Sequence, residues 1–232
     1  MIVRKLHNLF HPIVGEIWML HRVVEQRNER PEQRALEVTP AWLEQKIMEY
    51  RQKKYTFIPI GSIPNFCFPF FKSRRWVCLT FDDGYQDTYT LAYPLMKRLG
   101  VPFTVYVATG FVDNCQPMWW YPGKRLGIGT EELKKLDADP LCTIGAHTES
   151  HPKLGTLNHE QQYREIAGSK ASLEELLGHS VNHFSFPHGS YNSNTLDICC
   201  ELGFSTIVQS WGGPLRSSPH PWVLPRIDFV QP

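Results

Sequence analysis

The sequence predicts an α/β fold of the barrel type. Three observations carry that expectation. First, a helical stretch, a Leu-Gly pair and an apolar run recur in that order. Leu99-Gly100 precedes residues 101–107, Leu177-Gly178 precedes 181–186, and Leu202-Gly203 precedes 204–208. A Gly just past a helix end followed by a β-prone run marks a helix-to-strand junction, and repeating it builds βα units on a parallel sheet. Second, two more apolar runs, 76–81 and 142–146, end in polar residues able to do chemistry. Parallel α/β folds place their sites at the C-terminal ends of strands. Third, no low-complexity segment or Gly/Ser linker divides the 232 residues.

In chain order, residues 13–20 read as an opening strand. Thr39 and Pro40 supply an N-cap and a first helical residue, and Leu43, Ile47 and Tyr50 keep helical spacing. Residues 57–60 and 76–81 read as strands. Thr130-Glu-Glu-Leu133 reads as a cap with acids in the first turn, where they complement the helix dipole. Residues 142–146 form a strand, and Asn158-His-Glu-Gln161 resembles a capping box opening a helix to about Leu177. Residues 223–227 make a last strand. Six to eight strands suit a barrel, with an open doubly wound sheet as the alternative.

Composition excludes several classes. Hydrophobic residues at 42% and charged residues at 20% argue against wholesale disorder. A net charge of +1 gives no broad field for nucleic acid or an anionic membrane. No apolar run is long enough to cross a membrane. The basic N-terminus is not followed by a continuous apolar region, so no secretory signal is expected. Cys67, Cys78, Cys115, Cys142, Cys199 and Cys200 have no C-x-x-C spacing and read as reduced thiols. A cytoplasmic location is expected on these grounds.

The chemistry concentrates in two strand ends. Val77-Cys-Leu-Thr-Phe-Asp-Asp-Gly84 ends in two carboxylates and a Gly. Consecutive strand side chains point opposite ways, so Asp82 and Asp83 suit different tasks at one site. Ile144-Gly-Ala-His-Thr-Glu-Ser-His-Pro152 carries His147 and His151 four residues apart, a spacing that one helical turn would aim at one point. The two histidines and one aspartate make a three-ligand set with an open position, and the other aspartate could deprotonate water. A strand-ending turn and a pair of loop histidines are the plainer readings of each motif alone.

With both motifs in hand, the chain resembles the polysaccharide deacetylase family, the NodB-homology group, over roughly residues 13–230. Thr80-Phe-Asp-Asp-Gly84 matches the family's T-F-D-D-G, His147-Thr-Glu-Ser-His-Pro152 matches H-[ST]-x-x-H-P, and Phe186-Pro-His-Gly189 looks like the third motif. The resemblance implies a single domain with a distorted (β/α) barrel of about seven strands. It implies hydrolysis of an acetyl group on an acetylated sugar, glycan or sugar-lipid precursor. It makes Asp82 the catalytic base and Asp83, His147 and His151 the ligands of a divalent metal. Zn2+ is the default for two nitrogens and one oxygen, with Co2+ or Ni2+ as alternatives. Pro187, His188 and Gly189 fall in the third motif, where a backbone N–H would hold the oxyanion.

The pattern also departs from the family. Ser185 stands where many members have an orienting Arg, and Arg226 in Leu224-Pro-Arg-Ile227 is expected to pair with Asp82 instead. No late Leu-x-x-His supplies a general acid, which leaves His188 and His220 as candidates. His21, near the end of the first strand, is as well explained by a structural role. Trp119, Trp120 and Tyr121 are a candidate sugar-binding wall, although aromatic trios are commonly core anchors. A catalytically silent sugar-binding relative and a hydrolase of non-sugar amides or esters remain the alternatives.

Overall fold

The computed structural model describes residues 13–63, 75–216 and 222–232. Seven parallel strands close a barrel. They are β1 (Ile13–Leu20), β5 (Trp76–Phe81), β6 (Phe103–Val107), β7 (Cys142–Ala146), β8 (His183–Ser185), β9 (Thr206–Gly212) and β11 (Val223–Asp228). Each neighbours the next in that order, and β11 returns to β1. The pairing of β1 with β5, running from Gly15 opposite Trp76 to Leu20 opposite Phe81, shuts what would otherwise be an open sheet. Outside the ring, β4 (Thr56–Phe57) pairs with the start of β5, and β10 (Leu215–Arg216) runs antiparallel to β1. The short β2 (Arg22–Val23) and β3 (Glu37–Val38) pair separately.

Helices α1 (Pro40–Gln52), α2 (Tyr93–Leu99), α3 (Thr130–Asp137), α4 (His159–Leu177) and α5 (Ser193–Glu201) join the strands, with a single turn at Pro31–Arg34. All three glycines of the Leu-Gly pairs have the left-handed backbone that ends a helix, with φ of 59° at Gly100, 77° at Gly178 and 73° at Gly203. Asn158 and Gln161 cap α4 reciprocally, each side chain accepting the other's backbone N–H. None of the described helices is long and apolar enough to cross a membrane.

Strand alternation splits the apolar residues into two layers. Val77, Leu79 and Phe81 of β5 pack outward with Met96, Leu133 and Ile166 in the main core. Trp76 and Cys78 face the barrel interior with Ile17, Tyr106, Val208 and Leu224. The interior is tight: a Cβ on Gly145 would lie 2.5 Å from the Tyr106 ring, and one on Gly15 would enter the Trp76 ring. Below the strands' N-terminal ends, Ile58, Ile60 and Ile63 join the interior cluster.

Two expected elements differ. The strand expected over 57–60 is only Thr56–Phe57, because the chain turns at Pro59 into a 3₁₀ turn, Ile60–Ser62. Thr130 does not cap α3; it is the first helical residue, after Gly129. The Gly129 N–H donates to Glu132, while Thr130 donates to Asp113. His7, His11, Cys67 and His220 lie outside the described residues.

Candidate active site

The site lies at the C-terminal mouth of the barrel and starts with Asp82. Its backbone N–H still donates to Leu20 O, extending the β5 pairing by one residue. Its side chain therefore continues the inward row of Trp76, Cys78 and Thr80. There it meets Arg226 of β11 in a two-pronged ion pair, with Nη1 to Oδ1 at 2.7 Å and Nη2 to Oδ2 at 2.6 Å. Both residues are fully or nearly fully buried, at 2% exposure for Asp82 and 0% for Arg226. The remaining guanidinium donors are placed too. Nε reaches Gln209 O at 2.8 Å, Nη1 also reaches Thr80 Oγ1 at 2.9 Å, and Nη2 reaches Ser185 Oγ at 2.9 Å. Ser185, fully buried, is part of this network. Burial pushes the Asp82 carboxyl up, but the Arg226 guanidinium overrides it and holds the group below the usual carboxylate value. Such a fork-to-fork pair fixes the carboxylate's orientation as well as its charge.

Asp83 breaks the strand alternation. With φ of 75° at Asp83 and 74° at Gly84, the chain turns left-handed at once, and the two neighbouring carboxylates reach the same cavity. Asp83 Oδ1 lies 3.4 Å from His147 Nε2 and 3.2 Å from His151 Nε2. Asp82 Oδ2 stands 4.0 Å from His147 Nε2. His147 Nδ1 is 2.8 Å from Ser185 O, and a carbonyl only accepts, so Nδ1 is the donor there and Nε2 is the nitrogen turned toward Asp83. The histidines do not share a helical turn, as the spacing suggested. They bracket a tight loop with φ of 68° at Thr148 and 60° at His151, and their ring centroids are 4.9 Å apart.

This arrangement fits a cation. One carboxylate oxygen and two imidazole nitrogens, all buried, have ligand atoms within 4.8 Å of one another. Asp83 Oδ1 has no hydrogen-bond partner despite full burial. A buried anionic oxygen without a hydrogen-bond partner is costly unless a positive charge lies beside it, and the two Nε2 atoms turned toward it complete a donor set for a cation. Burial pushes the Asp83 carboxyl up, while His151 and His147 hold it well below its usual value. The Tyr85 hydroxyl accepts a 2.6 Å bond from Trp120 Nε1, and burial together with the nearby Asp83 pushes its pKa well up.

Above these groups is a cavity of about 350 Å³, lined by both aspartates, both histidines, His188, Trp119 and Trp120. Of the aromatic trio, Trp119 is 61% exposed, and Trp120 packs 4.6 Å from the His151 ring. Tyr121 does not belong to the wall. It is fully buried with Tyr85 and Phe111, its hydroxyl faces Glu37, and the Arg22 guanidinium lies 5.0 Å from its ring centroid. Pro187 and Gly189 are likewise buried beneath the loop, with the Trp211 ring over Gly189, so His188 alone presents the third motif to the cavity. His188 has φ of 55°, and its ring touches His151 at 4.5 Å.

The cavity also contains residues outside the three motifs, among them His21, for which the sequence left a structural role equally open. His21 follows β1, Asp228 ends β11, and both line it, with Met19 and Ser210. His21 lies near enough to Asp82, Asp83 and Asp228 to act on all three electrostatically. Asp228 carries no spacing signal in the sequence; only its place at the end of the last barrel strand marks it.

A closed parallel barrel, an Asp-His-His cluster at its C-terminal mouth and an arginine-held carboxylate beside it define a barrel protein with a candidate hydrolytic metal centre. The polysaccharide deacetylase family model matches residues 72–207, a span containing all three motifs, and the chain belongs to that family. Among curated relatives, YxkH of Bacillus subtilis, which carries the same family name, is 30% identical over 158 residues, 67% of this chain and 52% of the relative. The peptidoglycan-N-acetylmuramic acid deacetylase PdaA of Bacillus subtilis is 27% identical over 139 residues, 59% of this chain and 47% of the relative. The chain thus spans about half the length of these relatives. Among solved structures, the Streptococcus pyogenes deacetylase PplD, in complex with acetate, superposes with a TM-score of 0.77. It is 24% identical, and the match covers 94% of this chain and 93% of that one, a likeness of fold.

Proposed function

We propose that the protein removes the acetyl group from an N-acetylated sugar unit and releases acetate, using a divalent metal held by Asp83, His147 and His151. The observation that carries this reading is the placement of Asp82. It is a buried carboxylate kept ionised by Arg226, with Oδ2 4.0 Å from His147 Nε2, in the cavity that the donor set shares. Zinc is the first ion to test, since two imidazoles and one carboxylate with an open position suit it. When bound, the ion would supply Lewis acidity, polarising the acetyl carbonyl and making water easier to deprotonate.

The protein's own groups do the rest. Asp82 accepts the proton of the attacking water, and Arg226 keeps its carboxylate aimed and charged through the cycle. In the third motif, the N–H groups of Gly189 and Ser190 are committed to Phe186 O and Pro187 O, which leaves the His188 N–H to stabilise the developing oxyanion. The leaving amine needs a proton. The His188 ring is pushed down to about 4 by burial and by His151 and His147, so it has none to give at neutral pH. We assign that task to His21, which lines the same cavity as Asp82 and Asp228. Trp119 and Trp120 supply apolar faces on which a sugar ring stacks. PdaA's name, which specifies an acetylated wall sugar, supports an N-acetylhexosamine as the unit recognised.

Acetate release from a panel of N-acetylated sugars, oligosaccharides and glycans tests the reading. The wild type should release acetate, Asp82→Asn should retain metal but lose about 10²–10⁴-fold in kcat, and His147→Ala should lose metal and activity together. Full activity in both variants would contradict the site.

A further inference from the structure

The loop between the two histidines is held from outside the cavity by a residue that no motif contains. Thr148 and His151 both have left-handed backbone, a conformation that non-glycine residues keep only where the surroundings over-determine it. On the cavity side, the His151 N–H donates to Thr148 Oγ1 at 3.1 Å. On the far side, the N–H groups of Glu149 and Ser150 both donate to Glu165 Oε2, at 3.0 and 2.9 Å, and Ser150 Oγ donates to Oε1 at 2.5 Å. The loop is latched at its edge by the N–H groups of Thr109 and Gly110, which donate to Thr148 O and Glu149 O at 3.1 and 2.9 Å. Glu165 lies on α4, whose ends are fixed by the Asn158–Gln161 box and by Gly178. The Glu149 side chain lies against Gly168 one turn further along, where a Cβ would collide with its carboxylate.

We propose that Glu165 is a positioning residue for the metal centre. Its carboxylate gathers three donors of the 148–150 turn and so sets where His151 Nε2 points relative to His147 and Asp83. The inference rests on the metal-site reading above. Its geometry makes a specific demand. Both backbone donors converge on one oxygen, and the other oxygen meets only a hydroxyl. A glutamine can satisfy that pattern with its carbonyl toward the N–H groups and its amide toward Ser150 Oγ. An alanine cannot.

The test is Co2+ affinity of the metal-stripped full chain, by competition with a chromophoric chelator, with the visible absorption of bound Co2+ as a second readout. Wild type, Glu165→Ala, Glu165→Gln and Glu160→Ala, on the exposed first turn of the same helix, are compared. Failure of the wild type to bind Co2+ overturns the metal-site reading itself. Given wild-type binding, Glu165→Ala should bind about 10–100-fold more weakly with an altered cobalt spectrum, the range for removing an outer-sphere support. Glu160→Ala should match the wild type, and Glu165→Gln should recover affinity to within a few-fold. Wild-type affinity in Glu165→Ala overturns the proposal. So does a Glu165→Gln variant as weak as Glu165→Ala, whether or not the alanine variant is also less stable.

Discussion

At the residue scale, the Asp82–Arg226 pair carries the most consequence. A buried ion pair has little net value for stability, but removing one partner strands the other charge. Arg226→Ala should therefore destabilise the fold by about 3–5 kcal/mol, measured by denaturant unfolding. Arg226→Lys keeps the charge and loses the fork, so it should fold better than the alanine variant while still losing turnover. Equal turnover in Arg226→Lys and wild type would show that orientation of Asp82 is not what Arg226 provides. The pH dependence has a definite sign. The Asp82 and Asp83 carboxyls are held below their usual value of 3.8 in the folded protein. The stability they contribute is complete above that value and disappears as pH falls through the lower folded values. Acid titration of metal-free protein should show Asp83→Asn losing less stability than wild type below about pH 4. The two aspartates, the two histidines and the Arg226 pairing were legible because short motifs carried them. Of the aromatic trio, Tyr121 takes the core-anchor alternative, and its partners Arg22 and Glu37 lie about 100 and 84 residues away in sequence, which no local pattern reveals.

At the element scale, what could be read were the junctions. The Leu-Gly pairs, the Asn158 box and the Thr39-Pro40 start each involve chemistry confined to four residues, and each stands where expected. The 147–151 segment shows the limit of spacing arguments. An i, i+4 pair converges in a helix, yet here two left-handed residues and an outside carboxylate converge it in a loop. Residues 57–60 mark another limit, since the partner strand β5 runs on but the chain turns away from it at Pro59, leaving only Thr56 and Phe57 in the strand. Packing inside the barrel gives a prediction that belongs to β7. Gly145→Ala would force a Cβ to 2.5 Å from the Tyr106 ring and to 3.0 Å from His183 O. It should cost about 1–3 kcal/mol as overpacking, read from the urea midpoint. An unchanged midpoint would mean that Tyr106 moves aside freely.

At the scale of the whole molecule, closure of the ring is what makes the site. The β1–β5 pairing brings His21 and Asp82 to one mouth, and the β11–β1 pairing brings Arg226 and Asp228 to the same place from the other end of the described chain. An open sheet would separate those ends. The sequence favoured the barrel through strand rhythm and family resemblance, but the seam itself is a long-range contact with no local signature. Near-neutral charge gives no broad field to attract a polyanion, so any selectivity for a glycan is expected from local contacts in the cavity.

The most direct measurement is acetate release from an N-acetylglucosamine oligosaccharide by metal-stripped protein titrated with Zn2+. The expected result is no release without metal and recovery that saturates at one equivalent per chain. Release that is unaffected by stripping, or a fully loaded protein that liberates no acetate from any acetylated sugar or glycan, would contradict a metal-dependent deacetylase.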